Sequence, residues 1–160
     1  MVLREMKMKL FFAVTIFFQV LSFGCATATG PLFHEVSLEE YKGKAVVYFY
    51  RNSYVGSVAT YDLRINDRKV LPLPNKGYYL LILDPGTYDF RISHNSRWFK
   101  NTFSLQEDKT YYIEYWAKVV RYKPGFFTSG PMIEHHISSV TRNEAMDVLK
   151  KCRLIGPVVQ

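Results

Sequence analysis

The chain predicts an all-β domain: a single β-sandwich or flattened barrel of seven to eight mostly antiparallel strands with a short C-terminal α-helix. Three observations predict it. Short apolar or alternating segments recur with turn residues about every 8–12 positions, the spacing of a sandwich. Gly77 to Leu83 is an uncharged aromatic and aliphatic run that meets an alternating segment, Thr87 to Ile92, across the turn Asp84-Pro85-Gly86. Helical spacing of apolar residues is confined to the end of the chain, after Thr141.

Residues 1–24 read as a targeting segment and stand outside the fold. Arg4, Lys7 and Lys9 precede an apolar run from Leu10 to Phe23. Its apolar core of about a dozen residues suits a signal peptide and falls short of the roughly 20 of a comfortable membrane-spanning helix. Leu21-Ser22-Phe23-Gly24-Cys25 resembles a bacterial lipoprotein signal, although Phe23 is bulkier than the usual residue and Leu21 stands one place early. That resemblance implies acylation of Cys25, with the bilayer as partner. Ala26 after the cysteine then points to the outer membrane, the domain facing the periplasm. The alternative is an ordinary secretory signal cut after Ala28, with Cys25 discarded.

Residues 25–43 are read as the lipidated N-terminus and linker. The first strand is Lys44 to Arg51, β-branched and aromatic throughout and therefore central. Thr60 to Asn66 alternates and is half-exposed. Lys69 to Leu73, flanked by Pro72 and Pro74, is confined to a sheet edge. Gly77 to Leu83, buried on both faces, and Thr87 to Ile92, buried on one, read as a hairpin about the Asp84-Pro85-Gly86 turn. Trp98 to Leu105 and Thr110 to Arg121 follow, the latter the longest strand, with Tyr111, Ile113, Tyr115 and Val119 on one face. Pro131 to Ile137 adds a last strand. Thr141 and Glu144 have capping-box spacing, and Ala145, Val148, Leu149 and Cys152 form one stripe on a helix of about three turns. The domain therefore spans 44–154, with 155–160 a tail.

The 160 residues carry a formal charge of +7. Losing Arg4, Lys7 and Lys9 together with Glu5 leaves 136 residues at +5, enough for one domain with a core of its own. The basic excess is scattered without a block, and the secretory address speaks against nucleic acid as a partner. With Cys25 acylated, Cys152 has no disulfide partner within the chain, and burial is its ordinary fate.

Val-Tyr-Phe-Tyr-Arg at 47–51, Val-Gly-Ser at 55–57, Tyr61-Asp62 and Ile65-Asn66-Asp67 open a pattern. Asn75-Lys76-Gly77-Tyr78, Pro85-Gly86, Thr110-Tyr111-Tyr112, Gly125-Phe126-Phe127, Pro131 and Leu149-Lys150-Lys151-Cys152 complete it. Together they resemble the bacterial lipoprotein family called domain of unknown function 2846, from about Lys44 to Leu154. The resemblance implies a small all-β, membrane-anchored domain and brings no catalytic residues.

Chemistry is sparse. His135 and His136 are adjacent, so on a strand they face opposite ways and cannot share a metal, and zinc needs three or four ligands. No nucleophile elbow or phosphate loop is present. Neither enzyme activity, metal nor cofactor is expected. Arg51 closes an apolar strand, where a charge must reach solvent or a partner; its guanidinium also suits a carboxylate or phosphate ligand. Phe126 and Phe127, in a Gly/Pro loop, either tuck over the sandwich or face a partner. Trp116, with Tyr112 and Tyr122, is a candidate stacking platform. Two functions remain: a non-enzymatic module docking another envelope protein through Phe126-Phe127, and a small-ligand or cell-wall carbohydrate binder using Trp116.

Overall fold

The computed structural model describes residues 28–53, 55, 60–70, 72–94, 97–123 and 130–156. Among them nine strands run in two sheets: β1 (Ala45–Arg51), β2 (Leu63–Ile65), β3 (Arg68–Lys69), β4 (Gly77–Leu83), β5 (Gly86–His94), β6 (Arg97–Leu105), β7 (Lys109–Lys123), β8 (Gly130–Val140) and β9 (Arg153–Leu154). One α-helix, α1 (Arg142–Leu149), stands between β8 and β9, and a short 3-10 helix spans Leu38–Tyr41. The five-stranded sheet has the order β8-β7-β1-β4-β9 and the four-stranded sheet β3-β2-β5-β6. The all-β sandwich with a C-terminal helix is thus the fold. No helix among the described residues is long and apolar enough to cross a membrane.

The two periods of β1 fill two cores. Its odd residues Val47 and Phe49 point between the sheets, among Leu63, Leu81, Phe90, Ile92 and Ile113. The Phe49 and Phe90 rings stack at 5.5 Å. Its even residues Val46, Tyr48 and Tyr50 point outward, under Ala145, Leu149 and Cys152 of the helical region. Every residue of β1 is therefore buried, and the sheet is covered on both sides as a near-continuous apolar strand requires. The capping box forms: the Glu144 carboxylate accepts from the Thr141 N–H at 2.9 Å, and Thr141 Oγ1 accepts from the Glu144 N–H at 3.4 Å. The helix is eight residues long, nearer two turns than the three expected.

Residues 28–41, read above as linker, lie packed as a strap over the outer face of the five-stranded sheet. Phe33 meets Tyr48 and Tyr78 edge-on at 5.2 and 5.4 Å. The Val36 N–H donates to the Tyr48 hydroxyl at 2.7 Å. Glu35 accepts from Arg142 Nε at 3.0 Å and from the Tyr112 hydroxyl. The strap also covers the sheet edge, because Leu32 bridges to Arg153 and the Phe33 N–H donates to the Cys152 carbonyl.

Three details depart from expectation. Gly77–Ile92 is not a hairpin: β4 pairs with β1 and β9, whereas β5 pairs with β2 and β6. The Asp84-Pro85 turn carries the chain from one sheet to the other. The reason lies in the burial itself, since a run buried on both faces belongs to the sheet covered twice and an alternating run to the sheet covered once. The pairing of β1 with β7, and of β4 with β9, is parallel. Val119 keeps the parity of Tyr111, Ile113 and Tyr115 but is 39% exposed, because β1, which covers that flank of β7, ends at Arg51.

Candidate functional site

The element that outgrows the sandwich is the β7–β8 pair. β1 pairs with β7 only as far as Arg51↔Tyr115, but β7 pairs with β8 on to Lys123↔Gly130. Residues 116–123 and 130–136 thus form a two-stranded ribbon, about 26 Å long at roughly 3.3 Å per residue. It carries Val119, Val120 and Met132, the last two 54% and 46% exposed. The irregularity between Val119 and Arg121 adds the local twist typical of a bulge.

The root of this arm is fixed from three sides. Ser53 Oγ donates to the Ala117 carbonyl at 3.1 Å, and Asn101 Nδ2 of β6 donates to the Ile137 carbonyl at 2.8 Å. His135 points inward: its Nδ1 lies 2.8 Å from the Tyr115 hydroxyl and its ring stacks on Phe99 at 4.1 Å. His136 points outward and stacks on Trp116 at 4.1 Å, with Glu134 3.3 Å from its Nε2. The two histidines face opposite ways, as a strand dictates.

Where β1 stops, an open cleft of about 530 Å3 takes its place beside β7. Asn52, Ser53, Glu114, Trp116 and Val119 line it. Asn52 Nδ2 donates to Glu114 Oε1 at 2.6 Å. Burial raises the Glu114 carboxyl above its ordinary value, the Asn52 bond pulls it down, and the nearby Glu144 adds to the rise. Glu114, Asn52 and Ser53 were not singled out from the sequence. Their one legible signal was a charge in the middle of an apolar strand.

Of the residues singled out, Arg51 lies at the root of the arm but is only 1% exposed. Its guanidinium donates to the carbonyls of Leu73 at 3.4 Å and Val55 at 3.2 Å and lies 4.3 Å from the centre of the Tyr61 ring. Burial lowers its pKa, and the Tyr61 and Tyr115 hydroxyls oppose that. Its fork of donors is turned to the interior. Trp116 lines the cleft, but Tyr112 does not join it: that ring is buried under the strap and α1, stacked on Tyr48 at 5.5 Å. Cys25, Phe126 and Phe127 lie outside the described residues, as do the whole of segment 1–24 and the side chain of Tyr122. Phe126 and Phe127 belong to the connection between the two strands of the arm.

A family model described as "Protein of unknown function (DUF2846)" matches residues 41–130. No curated protein matches the chain.

Proposed function

The chain belongs to the DUF2846 family, and from that premise we propose that it is a lipid-anchored envelope module whose β7–β8 arm docks another envelope protein. The reading is non-enzymatic: the protein acts by holding a partner. The observation that carries it is the arm itself. A ribbon that leaves the core exposes Val120 and Met132, and the sequence between its two strands contains Phe126 and Phe127. Exposed apolar side chains gathered on one projecting element mark an interaction surface. The targeting segment and Cys25 support the address, with the acylated cysteine in the outer membrane and the domain in the periplasm.

A photo-crosslinking residue at Val120 in cells tests the docking. A discrete adduct is expected from Val120 and not from Lys100 on β6, and it is lost when Phe126 and Phe127 become serine. Equal labelling from both positions, or an adduct indifferent to the phenylalanines, would refute it. The Trp116 cleft favours the second reading, a small-ligand or cell-wall carbohydrate binder. There Trp116→Leu abolishes sugar binding and leaves the adduct intact.

A further inference from the structure

The strap fixes where the domain meets the membrane. Gly30 is held at the β9 edge: its carbonyl accepts from Arg153 Nη1 at 2.9 Å, and the Leu154 N–H donates to the Pro31 carbonyl at 2.9 Å. Cys25 is five residues earlier. Five extended residues span at most about 18 Å, so an acyl anchor at Cys25 keeps this edge beside the bilayer. β9 and the arm lie at opposite edges of one sheet, four strand spacings or about 19 Å apart.

The same edge gathers unneutralised positive charge. Lys76, Lys150, Lys151 and Arg153 are all exposed. Arg153 and Lys76 are neighbours, the Arg153 N–H donating to the Lys76 carbonyl at 2.9 Å. Lys76 and Lys151 line one small cavity of about 100 Å3 with Asp147, the acidic residue facing the group there. Elsewhere Lys44, Lys69, Arg91, Lys100, Lys118 and Arg142 are each within 4 Å of a carboxylate. Lys42, Arg64, Arg68, Arg97 and Lys109 also lack one among the described residues, but they are not gathered at the β9 edge. Among the described residues, none of the four at the β9 edge has such an ion pair. Beside them Leu32 of the strap is 55% exposed.

We propose that the surface of Lys76, Lys150, Lys151 and Arg153 binds anionic phospholipid headgroups and orients the domain with the β9 edge on the membrane and the arm on the far side. Two independent features carry this: the short chain from Gly30 to Cys25, and a cluster of four exposed cations with no carboxylate within 4 Å among the described residues. Each basic residue close to an anionic surface strengthens association about fivefold, and the effect fades within a Debye length, about 8 Å in physiological salt. An anchor leaves the domain free to tumble; the cations give it one resting face. The inference rests on the lipoprotein reading of Cys25.

The test uses the full-length protein in vesicles with and without phosphatidylglycerol, with a nitroxide on the lipid headgroups. A fluorescent unnatural amino acid is placed at position 150 or, on the other sheet, at position 100, so that neither Cys25 nor Cys152 is labelled. Quenching about threefold stronger at 150 than at 100 is expected in anionic vesicles. The difference should shrink markedly in neutral vesicles and in a Lys76→Gln, Lys151→Gln, Arg153→Gln background, where only the tether acts. Equal quenching at the two positions, or a difference just as large in neutral vesicles, overturns the proposal. The mass of the Cys25 peptide separates the premises. An acylated Cys25 without orientation rejects the lipid-facing surface alone. Orientation with an unmodified Cys25 supports that surface and rejects the acyl anchor.

Discussion

Replacing Arg51 separates a structural arginine from a ligand-binding one. Its hydrogen bonds to the Val55 and Leu73 carbonyls, at 3.2 and 3.4 Å, are long, so each stands near the lower end of the range for charged donors, about 1.5 kcal/mol. The Tyr61 ring at 4.3 Å adds about 1–2 kcal/mol in a dry setting. Against these stands the desolvation of a buried guanidinium, several kcal/mol. The Leu73 carbonyl is not orphaned by its loss, because it also accepts from the Tyr61 N–H, and the Val55 carbonyl shares the Ser53 hydroxyl with the Ala117 carbonyl. A methionine fills similar space without the desolvation cost, and Arg51→Met should change stability by at most about 1.5 kcal/mol. Alanine leaves a cavity as well, and Arg51→Ala should cost about 3–5 kcal/mol. With a urea slope near 2 kcal/mol/M, that lowers the midpoint by roughly 2 M. Urea denaturation followed by circular dichroism reads both variants. An alanine cost below about 1 kcal/mol would show that the side chain is not built into the core, and the reasoning would fail.

Other expectations concern the strap, a thiol and acid stability. A Cβ on Gly30 would stand 2.1 Å from the Leu154 backbone oxygen, so Gly30→Ala should lift the strap, at about 1–3 kcal/mol. Hydrogen exchange at the Phe33 and Leu154 amides should rise; unchanged protection would contradict the docking of the strap. The Cys152 thiol is 1% exposed and its pKa is pushed up to about 12 by burial, with Lys76 opposing slightly. Native protein should therefore resist thiol reagents at pH 8 and react on unfolding, whereas rapid native labelling would place the thiol at the surface. The Asp89 carboxyl is held down at about 2, chiefly by the Thr102 hydroxyl and then by Lys100 and Arg91. Its folded pKa lies below the ordinary 3.8, so its stabilisation is complete above that value and is lost as pH falls toward 2. Urea midpoints between pH 5 and pH 2 should fall less steeply in Asp89→Asn; identical slopes would remove Asp89 from the account.

What could be read from the sequence was what neighbouring residues decide among themselves. The unbroken apolar run of 45–50 marks a strand covered twice, the alternation of Thr87 to Ile92 a strand covered once, and Thr141 with Glu144 a helix start. What could not be read depends on residues far apart. Nothing local says that β1 lies parallel to β7, or that β4 and β5 part company at Pro85. β9 has two residues, too few for any period. Arg51 was noticed as a charge ending an apolar strand, but the carbonyls that enclose it come from Val55 and Leu73. Trp116 was noticed as an aromatic on the long strand; its cover by His136 depends on the β7–β8 register. The cations at the β9 edge looked scattered because Lys76 stands far from Lys150 in sequence and next to Arg153 in space.

The strap has a kinetic meaning as well. It closes on β9, tying Gly30 to Arg153 across 123 residues, and β9 in turn needs β4. Closing a loop of that length costs about 4 kcal/mol in chain entropy, so this contact should be among the last to form. Until the final residues of the domain are made and placed, Gly30 and Pro31 lack the Arg153 and Leu154 groups that hold them, although Phe33 and Val36 already have β1 and β4 to pack on. The contact of Gly30 and Pro31 with β9 is thus expected to close after the two sheets have formed.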